Sequence, residues 1–174
     1  QALAAGDTDP PPLRGARGRL RCYVDLHAHA TKRGAFCYGN ALPSYADQVE
    51  NMLLARVVGM QCPLFDFGGC VFSEKDMEAR DSRGESKEGS SRVGVYRVTG
   101  LTHCLTLEVN YNGSKAFVPR PPLHGTPFAE PERAPAGPPR FSEEGFRQVG
   151  EALVQGLSDY EGLIGVSRVC PGPP

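Results

Sequence analysis

Two histidines, an aspartate, a lysine and an arginine crowd into DLHAHATKRGAFCYGN, residues 25–40, and a glutamate, Glu108, lies inside HCLTLEVNY, residues 103–111. Imidazoles bind metal ions or move protons near neutral pH, and a carboxylate can take a proton from water and hand it on. His27 and His29 are two apart, so on a continuing strand they point to one side. A histidine at a strand end can equally be solvated or held by structural bonds. Glu108 among aliphatic neighbours is costly to bury unless it is paired, bonded or protonated; an edge strand with Glu108 facing water is the other reading. Alternation puts Cys104, Thr106 and Glu108 on one face and His103, Leu105, Leu107 and Val109 on the other. The second face is the greasier and must pack. Glu108 therefore points away from it, near the strand's end, where functional groups of α/β sheets collect. An imidazole after one strand and a carboxylate in another match two needs of a zinc hydrolase. One is a nitrogen ligand for the ion, and the other is a base for the attacking water.

The elements that must position these groups can be read from periodicity. LRCYVDL, residues 20–26, alternates apolar positions and predicts a strand over 19–26. Ser44 caps a helix predicted over 45–58, with Val49, Met52, Leu53 and Val57 as its buried stripe. CPLFDFGGCVF, residues 62–72, is apolar and buried, of undetermined element type. Ser73 opens a short helix over 73–81, and residues 81–92 form a polar, Gly/Ser-rich loop. VGVYRVTG, 93–100, and HCLTLEVNY, 103–111, predict two strands. A helix over roughly 143–160 presents Phe146, Val149, Leu153, Leu157 and Tyr160, and Phe141 with Phe146 form a staple around the Ser142 cap. Residues 1–18 read as a linker or insertion, and 118–141 as a proline-rich flexible connector or, less simply, a proline-rich ligand segment. The domain itself is expected over 19–117, with its terminal helix and tail in 142–174.

Composition narrows the function classes. The 174 residues suffice for one domain, and a net charge of −1 leaves no basic excess to neutralise phosphates. No apolar run reaches spanning length and no secretion signal opens the chain, so neither a nucleic-acid nor a membrane partner is expected. Six cysteines (22, 37, 62, 70, 104 and 170) form no CxxC pair, which suits a reduced, intracellular protein.

DLHAHATKRGAFCYGN, QVENMLL, FDFGGCVFSEKDMEARD, ESKEGSSRVGVYRVTG and HCLTLEVNYN, in that order and spacing, closely resemble the cytosolic carboxypeptidases. These are zinc carboxypeptidases that trim glutamates from tubulin. The resemblance covers residues 19–117 and, more loosely, the last helix. It implies an α/β fold, the C-terminal part of a zinc-carboxypeptidase-like α/β/α sandwich with a mixed sheet. It implies that His27, in D-L-H, is a ligand of one Zn²⁺ ion, and that Glu108, in T-L-E, is the catalytic general acid/base. Arg92, at the end of the glycine-rich loop, would line the pocket for the substrate's terminal side chain, with Lys87 and His29 as further substrate contacts. Arg92 as a solvated loop end is the other reading. Glutamylated tails of tubulin and other glutamylated proteins are the implied partners, in the cytosol, at the microtubule cytoskeleton, and in the nucleus as a further compartment.

The departures are specific. Ala28 stands where the family usually has Gly, and Cys104 and Leu105 stand where it has Ser-Tyr; neither change removes a catalytic atom. The family's remaining zinc ligands come from an upstream H-x-x-E. The four histidines here, His27, His29, His103 and His124, are followed three residues later by Ala30, Lys32, Thr106 and Pro127. The remaining ligands are therefore expected in an upstream half, and the chain, which begins at Gln1, is read as a C-terminal fragment. By itself it is expected to be inactive. The rival is a catalytically inactive module that binds acidic tails through Lys32, Arg33, Lys87 and Arg92.

Overall fold

A computed structural model describes residues 20–78, 91–124 and 132–169. Lys87, the 1–18 segment, the middle of the proline-rich stretch and Cys170 lie outside the described residues. Among those described, three strands form one mixed sheet, β1 (Tyr23–His29), β2 (Ala35–Gly39) and β3 (Cys104–Asn110), in the order β1-β3-β2. β3 runs parallel to β1 and antiparallel to β2. The helices are α1 (Tyr45–Gln61), α2 (Glu74–Glu78), α3 (Ser91–Thr99) and α4 (Glu143–Tyr160). The chain thus mixes helix and strand around a mixed sheet, as the α/β reading requires.

Register gives the sheet two unlike faces. Leu105 and Leu107 with Ala35 and Cys37 join Leu54, Ala55 and Val58 of α1 and Val149 and Ala152 of α4 in one core. The opposite face carries Asp25, His27, His29, Thr106, Glu108, Asn110, Phe36 and Tyr38. Strand alternation therefore sorts the chemistry from the grease, as the pattern in β3 predicts.

Both long helices begin where their caps do: Ser44 Oγ accepts from the Asp47 amide at 3.4 Å, and Ser142 Oγ from Gly145 at 3.3 Å. The rings of Phe141 and Phe146 stack 5.3 Å apart across the second cap. α1 and α4 then cross so closely that a Cβ on Gly156 would stand 2.7 Å from Val58 Cα.

Three expectations need correction. Residues 93–100 are not a strand: they lie in α3 and the Gly100 turn that ends it (φ +65°). Their β-branched residues suggested a strand, but Val93 is wholly buried as helix, and packing outweighs a weak local propensity. The α1 stripe is rotated. Leu54, Ala55, Val57 and Val58 are buried, whereas Val49, Met52 and Leu53 are about two-fifths exposed. The helix turns because buried Asn51 donates to the Asn40 carbonyl at 3.1 Å, so a polar side chain occupies the inward face. On α4, Phe146 is 42% exposed; Gly145, Ala152 and Gly156 are buried beside Val149, because only small residues fit the close crossing. β2 was not foreseen at all. The apolar 62–72 stretch folds along its outer side through bridges Ala35–Phe65 and Tyr38–Val71.

Candidate functional site

The polar face of the sheet is the candidate site. Parallel register places His27 of β1 directly opposite Glu108 of β3, and antiparallel register places Phe36 of β2 on Glu108's other side. The three residues form one row across the sheet. Glu108 is 9% exposed, and its Oε2 is buried without a hydrogen-bond partner among the described residues. An unbonded buried carboxylate oxygen is costly, and such sites persist where an incoming group completes them.

His27 is half exposed, with Nε2 3.2 Å from Asp25 Oδ2. The Ser91 hydroxyl donates to the same Asp25 oxygen at 2.7 Å, tying the start of α3 to β1. Asp25 therefore holds one imidazole nitrogen and leaves Nδ1 open, the arrangement in which a carboxylate orients a metal-binding histidine. Among the described residues no group of three or more His, Cys, Asp or Glu could hold a metal ion. His27 fits as one ligand of a site completed by other residues, with Glu108 beside it.

Arg92 sits at the same face but not as a solvated loop end. It lies in the first turn of α3, its side chain is 5% exposed, and Nη2 donates to Asp76 Oδ2 at 2.8 Å. Its Nε is buried without a partner among the described residues. Its backbone is fixed by a buried relay: Asn51 donates to the Asn40 carbonyl, and Asn40 donates to the Arg92 carbonyl at 3.2 Å. The guanidinium carbon lies 5.7 Å from the Tyr38 ring centre, and Tyr38 meets Phe36 edge to face at 5.6 Å. Burial pushes the Tyr38 hydroxyl pKa up, the negative charges of Asp76 and Glu108 push it further, and Arg92 opposes them. The tyrosine thus senses both carboxylates and the guanidinium at once.

His29 is brought to the face but is engaged. Its Nδ1 accepts from the Lys32 amide at 2.9 Å and the Thr31 amide at 3.3 Å, which caps the turn after β1. Its ring lies edge-on to Phe36 at 5.4 Å. Lys32, weighed above only as a basic residue for acidic tails, sends its ammonium over the Phe36 ring at 4.1 Å and donates to the Gly69 carbonyl. His103 is on the other side of the molecule, against the Glu50 carbonyl and the Tyr160 ring. Asp25, Phe36, Tyr38 and Asp76 were missed as site residues. The signal for the first lay in the same alternation that singled out His27, and GAFCYGN carried the pattern of β2.

Comparison with known proteins follows the geometry. The chain is 49% identical over 163 residues to cytosolic carboxypeptidase-like protein 5 of Danio rerio, a match that takes in 91% of this chain and 18% of that protein. It is 47% identical to the Homo sapiens and Mus musculus proteins of the same name, over 86% of the chain and 17% of each relative. The chain therefore spans less than a fifth of the length of the curated relatives it matches. No family model matches it. No helix among the described residues is long and apolar enough to cross a membrane.

Proposed function

We propose, from this kinship with the cytosolic carboxypeptidases, that the chain contributes part of the active site of a zinc carboxypeptidase with the family's α/β/α fold. The complete enzyme would remove terminal or branch-point glutamates from polyglutamylated proteins, tubulin tails foremost, in the cytosol and at microtubules. The observation that supports the reading best is the row His27–Glu108–Phe36, with Glu108 Oε2 buried and unbonded beside the imidazole.

In this reading His27, oriented by Asp25, is one zinc ligand, and zinc when bound polarises the scissile carbonyl. Glu108 accepts a proton from the attacking water as oxygen adds to the carbonyl carbon. It returns that proton to the departing nitrogen as the amide C–N bond breaks, so a carboxylate and an amine leave. The Phe36 ring keeps bulk water from one side of the carboxylate. Arg92, with an unused donor, selects an acidic side chain, and His29 and Lys87 flank the substrate. A module that binds acidic tails without catalysis would use Lys32, Arg33, Lys87 and Arg92 and would not need Glu108.

The test is Glu108→Gln in the parent-length protein, read as glutamate released from a glutamylated peptide. Loss of a general acid/base lowers the rate by roughly 10²–10⁴-fold. Gln keeps the side chain's size and removes the buried charge, so folding is retained. A variant that releases glutamate at the wild-type rate overturns the enzymatic reading.

A further inference from the structure

A cavity of about 570 Å³ opens beyond the ends of β1 and β3, lined by Thr31, Arg33, Asn110, Gly113, Pro139 and Arg140 among others. Asn110 is two positions past Glu108 on β3, roughly 7 Å of strand rise, and Thr31 is two past His29. The cavity therefore continues the polar face rather than interrupting it.

Its two arginines are held from both sides of Gly113. Gly34, next to Arg33, donates its amide to the Gly113 carbonyl at 3.0 Å, and its own carbonyl accepts from Asn110 at 3.0 Å. Gly34 has φ +101°, a turn that glycine adopts without strain. On the other side Arg140 forms a β-bridge with Gly113, flanked by Ser114 N–H to the Pro139 carbonyl at 2.8 Å and Phe141 N–H to the Asn112 carbonyl at 3.0 Å. The Pro139 carbonyl would be only 2.9 Å from a Cβ on Gly113, so the two segments meet as closely as a glycine permits.

What the cavity offers is selective. Two of the neutral polar side chains that line it, Asn110 and Ser114, are already bonded. Asn110 Oδ1 accepts from Asn112 and Gly113, Asn110 Nδ2 donates to the His29 carbonyl, and Ser114 Oγ lies against the Leu64 and Ala116 carbonyls. The two guanidinium groups have no ion-pair partner among the described residues. A ligand that complements them must bring acceptors and negative charge.

We infer that Arg33 and Arg140 form an accessory site for the side-chain carboxylates of an acidic peptide, gripping residues about two positions from the one at Glu108. The inference rests on the reading of an acidic peptide substrate and adds to it where the rest of that peptide lies.

The experiment measures fluorescence anisotropy of labelled hexaglutamate on the 174-residue chain, with labelled hexaglutamine as reference. Arg33→Gln/Arg140→Gln is compared with Arg21→Gln/Arg147→Gln, which removes the same charge from exposed ion pairs elsewhere. The cavity variant is expected to bind hexaglutamate at least about tenfold more weakly, the loss of one to two charge-assisted bonds, with the control near wild type. Arg33→Lys/Arg140→Lys should recover part of the affinity, which excludes a folding defect. Equal weakening by both glutamine pairs, or hexaglutamate binding no tighter than hexaglutamine, overturns the inference. Failure here is distinct from failure of the enzymatic reading, because this test reads binding without turnover and keeps Glu108 in place, whereas the other reads glutamate release by Glu108→Gln.

Discussion

In the proposed enzyme Arg92 would serve both substrate choice and folding, and its ion pair with Asp76 offers a way to separate the two. Its side chain is 5% exposed and that of Asp76 17%, with the guanidinium 2.8 Å from the carboxylate. Truncating one member of a buried pair costs about 3–5 kcal/mol, so Arg92→Ala in the parent-length protein reduces the folded fraction whatever its role in recognition. The ratio of kcat/KM for two peptides that end in Glu and Gln cancels that effect, because both substrates sample the same folded molecules. One guanidinium nitrogen, Nη2, engages Asp76 and Nε is buried without a partner among the described residues; in the proposed reading the guanidinium gives its remaining donor capacity to a substrate carboxylate. A hydrogen bond to a charged group is worth about 1.5–3 kcal/mol, and each 1.4 kcal/mol is tenfold. The Glu/Gln ratio should therefore fall about 10- to 150-fold in Arg92→Ala, chiefly through a higher KM for the Glu peptide. Asp76→Asn supplies the contrast: it loosens the pair and lowers the melting temperature but keeps the guanidinium, so the ratio is held or rises. An unchanged ratio in Arg92→Ala with both substrates slowed alike refutes the role in recognition. Arg92 would then be a strut between α2 and α3.

Two further outcomes are expected of the fold. Gly156→Ala should lower the melting temperature by several degrees, because its Cβ would lie 2.7 Å from Val58 Cα and overpacking costs about 1–3 kcal/mol. Gly150→Ala, on the same helix with nothing within 4 Å, should raise it, since Ala gains about 0.8–1 kcal/mol over Gly in a helix; the same sign at both positions would contradict the α1–α4 crossing. Iodoacetamide followed by peptide mass spectrometry should modify Cys70 before Cys104. Bonding to Cys37 lowers the Cys70 thiol pKa, so its thiolate appears at lower pH, whereas burial pushes Cys104 up to about 12. Faster labelling of Cys104 than of Cys70 would refute that order.

The sequence by itself determined part of the polar face, His27 with His29 and Thr106 with Glu108, and carried the likeness to the cytosolic carboxypeptidases. Alternation alone put His27 with His29 and set Glu108 opposite Leu105 and Leu107, because side-chain direction along a strand follows from covalent geometry. Ser44 and Ser142 likewise announced the starts of α1 and α4, since a cap bonds amides only three residues away. Tertiary structure decided the rest. Whether VGVYRVTG becomes strand or helix depends on what Val93 packs against, not on its own preference. The rotation of α1 depends on a bond between Asn51 and Asn40, 11 residues apart, and on a neighbour as close as Gly156. Arg92 finds Asp76 across 16 residues where α3 meets α2, and His27 meets Glu108 across 81 because β3 pairs with β1. Local pattern fixes which way a side chain points; only the folded chain fixes what it meets there.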